Sequence, residues 1–103
     1  MVDTPLKVPY YINNPDVVLR EEDQYGGLLF NPDTNNIRVL NQTGLFIYKQ
    51  CNGKNNLTTI VTAVQTEFDQ APADQVTDQV RGFIDEMVSA GFIGMVEEQL
   101  HAQ

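Results

Sequence analysis

The chain has 103 residues, 42% of them hydrophobic, with 14 acidic against 6 basic side chains and a formal net charge of −8. That length and composition allow one domain with a modest core, and the charge disfavours nucleic-acid phosphate while easing the approach of neutral or basic partners. A single cysteine, Cys51, excludes an intramolecular disulfide and fits a reducing, cytoplasmic setting; there is no basic-then-apolar secretory signal and no apolar run near the ~20 residues that span a bilayer, so the expectation is a soluble protein without a membrane partner.

Residues 1–16 hold three of the five prolines and the pair Asn13-Asn14. Proline lacks the donor a sheet ladder needs and restricts the residue before it, so this segment reads as an extended arm. Tyr10, Tyr11 and Ile12 can dock it onto the body or onto a second copy. Val17-Val18-Leu19-Arg20 is a first strand by its β-branched content. The polar Glu21 to Gln24 and the turn-forming Tyr25-Gly26-Gly27 separate it from a second strand, Leu28-Leu29-Phe30. Asn31 to Asn36 is dense in turn formers, and Ile37-Arg38-Val39-Leu40 is a third strand, which suggests an antiparallel hairpin.

Asn41 is a suitable N-cap, able to accept from the backbone N–H of Thr43 or Gly44. Gly44, Ile47, Tyr48 and Cys51 recur at helical spacing, Leu45 and Phe46 widen that stripe, and Asn52-Gly53 ends the helix. A second helix starts near Asn56, with Leu57, Ile60, Val61, Val64 and Phe68 on one face, and Gln70-Ala71-Pro72 breaks it. A third runs from Ala73 to Ala90 on Val76, Val80, Phe83, Ile84, Met87 and Val88, capped by Gly91. Phe92 to Val96 forms a short strand or packs, and 97–103 reads as a flexible tail. The fold class is α+β: a three-stranded antiparallel sheet followed by three helices, in the manner of a winged helix-turn-helix, with the arm at 1–16 and the domain at 17–96.

Catalytic chemistry finds little support. Nucleophile and base must lie within hydrogen-bond reach; the only histidine, His101, is in the tail, and Cys51 sits on an apolar stripe where a thiol is inert packing. Glu21, Glu22 and Asp23 lack the ligand spacing of a calcium loop and read as a solvated turn. There is no Cys/His metal spacing, P-loop or dinucleotide fingerprint, so neither a metal nor a cofactor is expected. Gly91-Phe92-Ile93-Gly94 has the form of a KH loop but lacks its basic residues and its flanking elements. The helix-turn-helix pattern raises DNA binding, yet between Asp74 and Ala90 the third helix carries Asp74, Asp78, Asp85 and Glu86 against Arg81 alone. The feature left is the third strand. At the edge of a hairpin sheet it offers free N–H and C=O groups to an extended peptide, to the arm, or to a second protomer.

Leu19-Arg20-Glu21-Glu22-Asp23, Gly26-Gly27, Phe30-Asn31-Pro32, Leu40-Asn41-Gln42-Thr43-Gly44, Cys51-Asn52-Gly53 and Leu57-Thr58-Thr59-Ile60-Val61 follow one another in an order that resembles the PqqD family, also called the RiPP recognition element. The resemblance covers about residues 17 to 96, and the Leu-Asn-x-Thr-Gly step is its most specific piece. Asn52 departs from it, standing where an aspartate is expected. The resemblance implies a non-catalytic chaperone that binds the leader of a ribosomally made precursor peptide and presents it to a modifying enzyme, often a radical S-adenosylmethionine protein. The leader would add as a strand to Ile37, Arg38, Val39 and Leu40 and lie against Arg81, Ile84, Asp85 and Val88 of the third helix. Leu40, Ile84 and Val88 also have a core role by periodicity, whereas Arg38 and Arg81 can each bond a leader carboxylate. The rivals are a winged-helix regulator that binds protein or DNA, and a dimerisation module that uses the same edge to form a homodimer.

Overall fold

The structure, a computed structural model, describes residues 9–68 and 72–97. Its elements in chain order are β1 (Pro9–Asn13), β2 (Val18–Glu21), a 3-10 turn (Asp23–Tyr25), β3 (Gly27–Asn31), β4 (Asn36–Leu40), α1 (Gln42–Gln50), β5 (Asn52–Asn55), α2 (Leu57–Phe68), α3 (Ala73–Ser89) and β6 (Ile93–Glu97). The expected sheet is present as β2-β3-β4, antiparallel throughout, with Leu29 opposite both Leu19 and Arg38. Three helices follow it, so the α+β, winged-helix-like expectation is met.

A second sheet, of order β5-β1-β6, was not read from the sequence. Tyr10, Tyr11 and Ile12 do dock onto the body, as the central strand between β5 and β6. β5 begins at Asn52, where the sequence reading only ended a helix. Gly53 takes a φ of +86° there, and Asn52 Oδ1 accepts from Lys54 N at 2.9 Å to shape the turn. Gln70 and Ala71, expected to break the second helix, and the tail from residue 98 with His101 lie outside the described residues.

Local chemistry starts and stops each helix. Asn41 Oδ1 accepts from Gly44 N at 2.7 Å, the expected cap of α1. Before α2, Asn56 and Thr59 bond reciprocally, each side chain accepting from the other's backbone N–H at 2.9 Å. α3 ends in a Schellman turn: Phe92 N donates to Met87 O at 2.9 Å and Gly91 N to Val88 O at 3.2 Å, with Gly91 at φ +86°.

The core lies among the three helices and the inner faces of both sheets. Phe92, Leu29, Ile60, Ile84, Met87, Val80 and Cys51 are its fully buried members. Among the described residues one polar side chain, Asn31, is buried with them. Its Nδ2 donates to Gly91 O at 3.2 Å and its Oδ1 accepts from Asp33 N at 3.0 Å. Asn14 Nδ2 donates to the same Gly91 carbonyl at 3.0 Å, so the end of α3 is clamped from the β1–β2 link and from the β3–β4 turn at once. Replacing Asn31 with leucine removes half of this clamp, and chemical denaturation should register a loss of about 1–3 kcal/mol.

Candidate functional site

β4 is bonded to β3 on one side and, among the described residues, to no strand on the other. The strand alternates. Ile37 and Val39 point to the outer face, 53% and 78% exposed, while Arg38 and Leu40 point inward toward α3. Register places Val18, Arg20, Leu28, Phe30, Ile37 and Val39 on that one outer face, a surface that is apolar apart from Arg20 at its far side from the free edge. Edges of this kind are usually blunted by proline, lysine or a bulge. β4 has none of these; its single charge, Arg38, turns toward the interior.

On the inner side, β4 and α3 enclose a groove of about 190 Å³ lined by Arg38, Val39, Leu40, Asn41, Gly44, Phe83, Glu86 and Met87. Gly44 makes room for it, since a Cβ there would lie 3.2 Å from Phe83 Cε1 and 3.3 Å from Asn41 Oδ1. Its lining combines the apolar Leu40, Phe83 and Met87 with the charged Arg38 and Glu86. The Arg38 guanidinium lies 5.7 Å from the centroid of the Phe92 ring. Its Nη1 donates to Ile37 O at 3.2 Å. Its Nε is 3.4 Å from Glu86 Oε2, close enough to pair charges but not a hydrogen bond, and this buried nitrogen has no hydrogen-bond partner.

The structure thus gathers Ile37, Arg38, Val39 and Leu40 into one edge but divides the helix residues implied by the resemblance. Ile84 is 1% exposed and belongs to the core. Val88 is half-buried against that core. Arg81 and Asp85 are exposed on the opposite flank of α3, beside Tyr11 of β1. There burial raises the Tyr11 phenol pKa, Asp85 adds to the rise and Arg81 opposes it. The helix side chains that face β4 are Phe83, Glu86 and Met87, which the sequence reading did not single out for binding.

Cys51 is fully buried, donates its thiol to Ile47 O at 3.3 Å, and burial pushes its pKa up to about 12. Among the described residues no group of three or more His, Cys, Asp or Glu could hold a metal ion, and no helix is long and apolar enough to cross a membrane. The acidic side chains Asp74, Asp78, Asp85 and Glu86 on α3 are all exposed, a poor face for a DNA groove.

The family model described as coenzyme PQQ synthesis protein D (PqqD) matches residues 26–93, more than half of the chain. No curated protein sequence matches. The structure described as TbiB1 in complex with the TbiA(beta) leader peptide is similar at a TM-score of 0.70 and 18% identity, covering 80% of this chain and 93% of that one. Lasso peptide synthetase B1 complexed with the leader peptide gives 0.69 and 13%, covering 82% and 96%. The heterocyclase TruD gives 0.63 and 16%, covering 90% of this chain but 12% of that one. At these identities the likeness is one of fold.

Because the folded Cys51 thiol holds its proton to higher pH than the unfolded thiol, which starts from about 9, stability is full below about pH 9 and falls as pH rises toward 12. Tyr48, also pushed up to about 12 by burial and by Cys51, acts in the same direction. Denaturant midpoints should therefore drop between neutral and strongly alkaline pH, less steeply in Cys51→Ala. The native thiol should resist alkylation at neutral pH until the chain unfolds.

Proposed function

This chain belongs to the PqqD family, and from that premise we propose that it is a leader-peptide recognition element. An extended leader pairs with the free edge of β4 and lays alternate side chains into the groove against α3. Main-chain hydrogen bonds give such pairing its affinity, and the groove gives it selection. The domain then presents the precursor to a modifying enzyme without itself doing chemistry, in the cytoplasm. The radical S-adenosylmethionine class is the enzyme the family resemblance favours.

The observation that carries this reading is an edge strand free of proline, lysine and bulge, lying beside a groove lined by both apolar and charged side chains. Two supporting facts come from similar folds. TbiB1 and lasso peptide synthetase B1 were each solved with a leader peptide, and TruD is a heterocyclase of which the matched region is 12%. On the strand the contact residues are Ile37, Arg38, Val39 and Leu40. On the helix they are Phe83, Glu86 and Met87, while Arg81, Asp85 and Val88 lie outside the groove lining and are not assigned to the leader.

A tagged pull-down from the source cells, read by mass spectrometry down to small peptides, should recover a short ribosomal peptide together with a modifying enzyme. Recovery of the protein alone, or of DNA-associated proteins, would contradict the proposal. With that peptide in hand, Phe83→Ala should weaken binding about tenfold, as expected for a half-buried aromatic that contacts the ligand at about 1.4 kcal/mol per decade. Its circular dichroism should stay native.

A further inference from the structure

Arg38 is the one charge on β4 and stands at the strand's midpoint, with two residues of the element on either side. It points into the groove, and Phe92, fully buried, supports its guanidinium from below. Its charge is only partly answered: Glu86 is itself 61% exposed and sits at 3.4 Å without hydrogen-bonding the buried Nε. A planar cation held by an aromatic face, with unused donors, is prepared for a carboxylate.

Strand geometry specifies where that carboxylate must come from. In a strand added to β4, the residue opposite Arg38 places its side chain on the same inner face, with Cβ atoms about 4.5–5.5 Å apart. Leu40 shares that face two residues along, so its opposite number drops against Leu40, Phe83 and Met87. This spacing holds whichever way the leader runs.

Resting on the leader-binding reading above, we propose that Arg38 is the specificity-determining residue of the groove, selecting leaders with an acidic residue two positions from an apolar one. The same arginine acts against self-pairing. Two β4 edges joined antiparallel about a two-fold axis pair all five residues only when Arg38 lies opposite Arg38. Like charges set directly across a ladder destabilise it. Any shifted register that keeps the inner faces together gives up ladder pairs. The edge is closed to a second copy by the residue that opens it to an acidic peptide.

The test is selection of a displayed library of random linear peptides against the wild-type protein, Arg38→Glu and Arg38→Met, with folding of each checked by circular dichroism. Wild type should enrich peptides sharing an acidic residue two positions from an apolar one. Arg38→Glu should exchange the acidic preference for a basic one. Arg38→Met keeps an apolar stem on Phe92 and serves if the charge reversal does not fold. It should retain the apolar preference, lose the acidic one, and bind a wild-type-selected peptide about ten- to a hundredfold more weakly, the scale of one lost charge-assisted hydrogen bond. Enrichment of the same peptides by wild type and variants would overturn the role of Arg38 while leaving leader binding intact. Failure of the wild type to enrich any peptide would overturn both.

Discussion

The carbonyl of Gly91 holds this molecule together. α3 can stop there because glycine takes a φ of +86°, and the Schellman turn it permits aims the carbonyl back at two asparagines, Asn14 and Asn31. Those side chains come from different sheets' neighbourhoods, the β1–β2 link and the β3–β4 turn. The next residue, Phe92, is fully buried and carries the Arg38 guanidinium over its ring. One helix terminus therefore joins both sheets and sets the position of the arginine in the groove. A buried polar group this well satisfied fixes geometry as well as adding stability.

The consequence for function is a division of labour between two small sheets. The β5-β1-β6 sheet ties the start and end of the described chain together and consumes Tyr11 and Ile93 as core. Among the described residues β2-β3-β4 keeps both its outer edges unpaired, and of the two only β4 lies against the groove with α3. An open edge is a hazard in a soluble chain, and here it is answered by charge placement instead of by proline or a bulge. The rest of the groove follows from small choices nearby: Asn41 caps α1 with its own side chain, and Gly44 lets Phe83 approach closely enough to form the apolar wall.

Much of this was legible in the residues. The turn formers between Phe30 and Ile37, the Asn41 cap and the Val76 to Met87 stripe each act locally, so each appears in the structure where the pattern put it. β1 and β5 did not show. Asn52-Gly53-Lys54-Asn55 has no β-branched residue, and it is a strand only because Tyr11 and Ile12 pair with it from a distant part of the chain. At the site, the β4 residues could be read because strand alternation is strict. The helix side could not be settled, since periodicity finds the buried stripe of α3 but not which of its flanks meets β4. The second sheet decides that: β1 takes the flank with Arg81 and Asp85, and β4 takes the flank with Phe83 and Glu86.

The most direct measurement is amide hydrogen exchange across the chain, before and after saturation with the peptide recovered from the source cells. Amides pointing outward from residues 36–40 should exchange quickly in the free protein and become strongly protected in the complex, with smaller changes around Phe83 and Glu86. Protection that leaves β4 untouched and falls instead on the β5-β1-β6 sheet or on the exposed acidic face of α3 would contradict the docking of a leader on this edge.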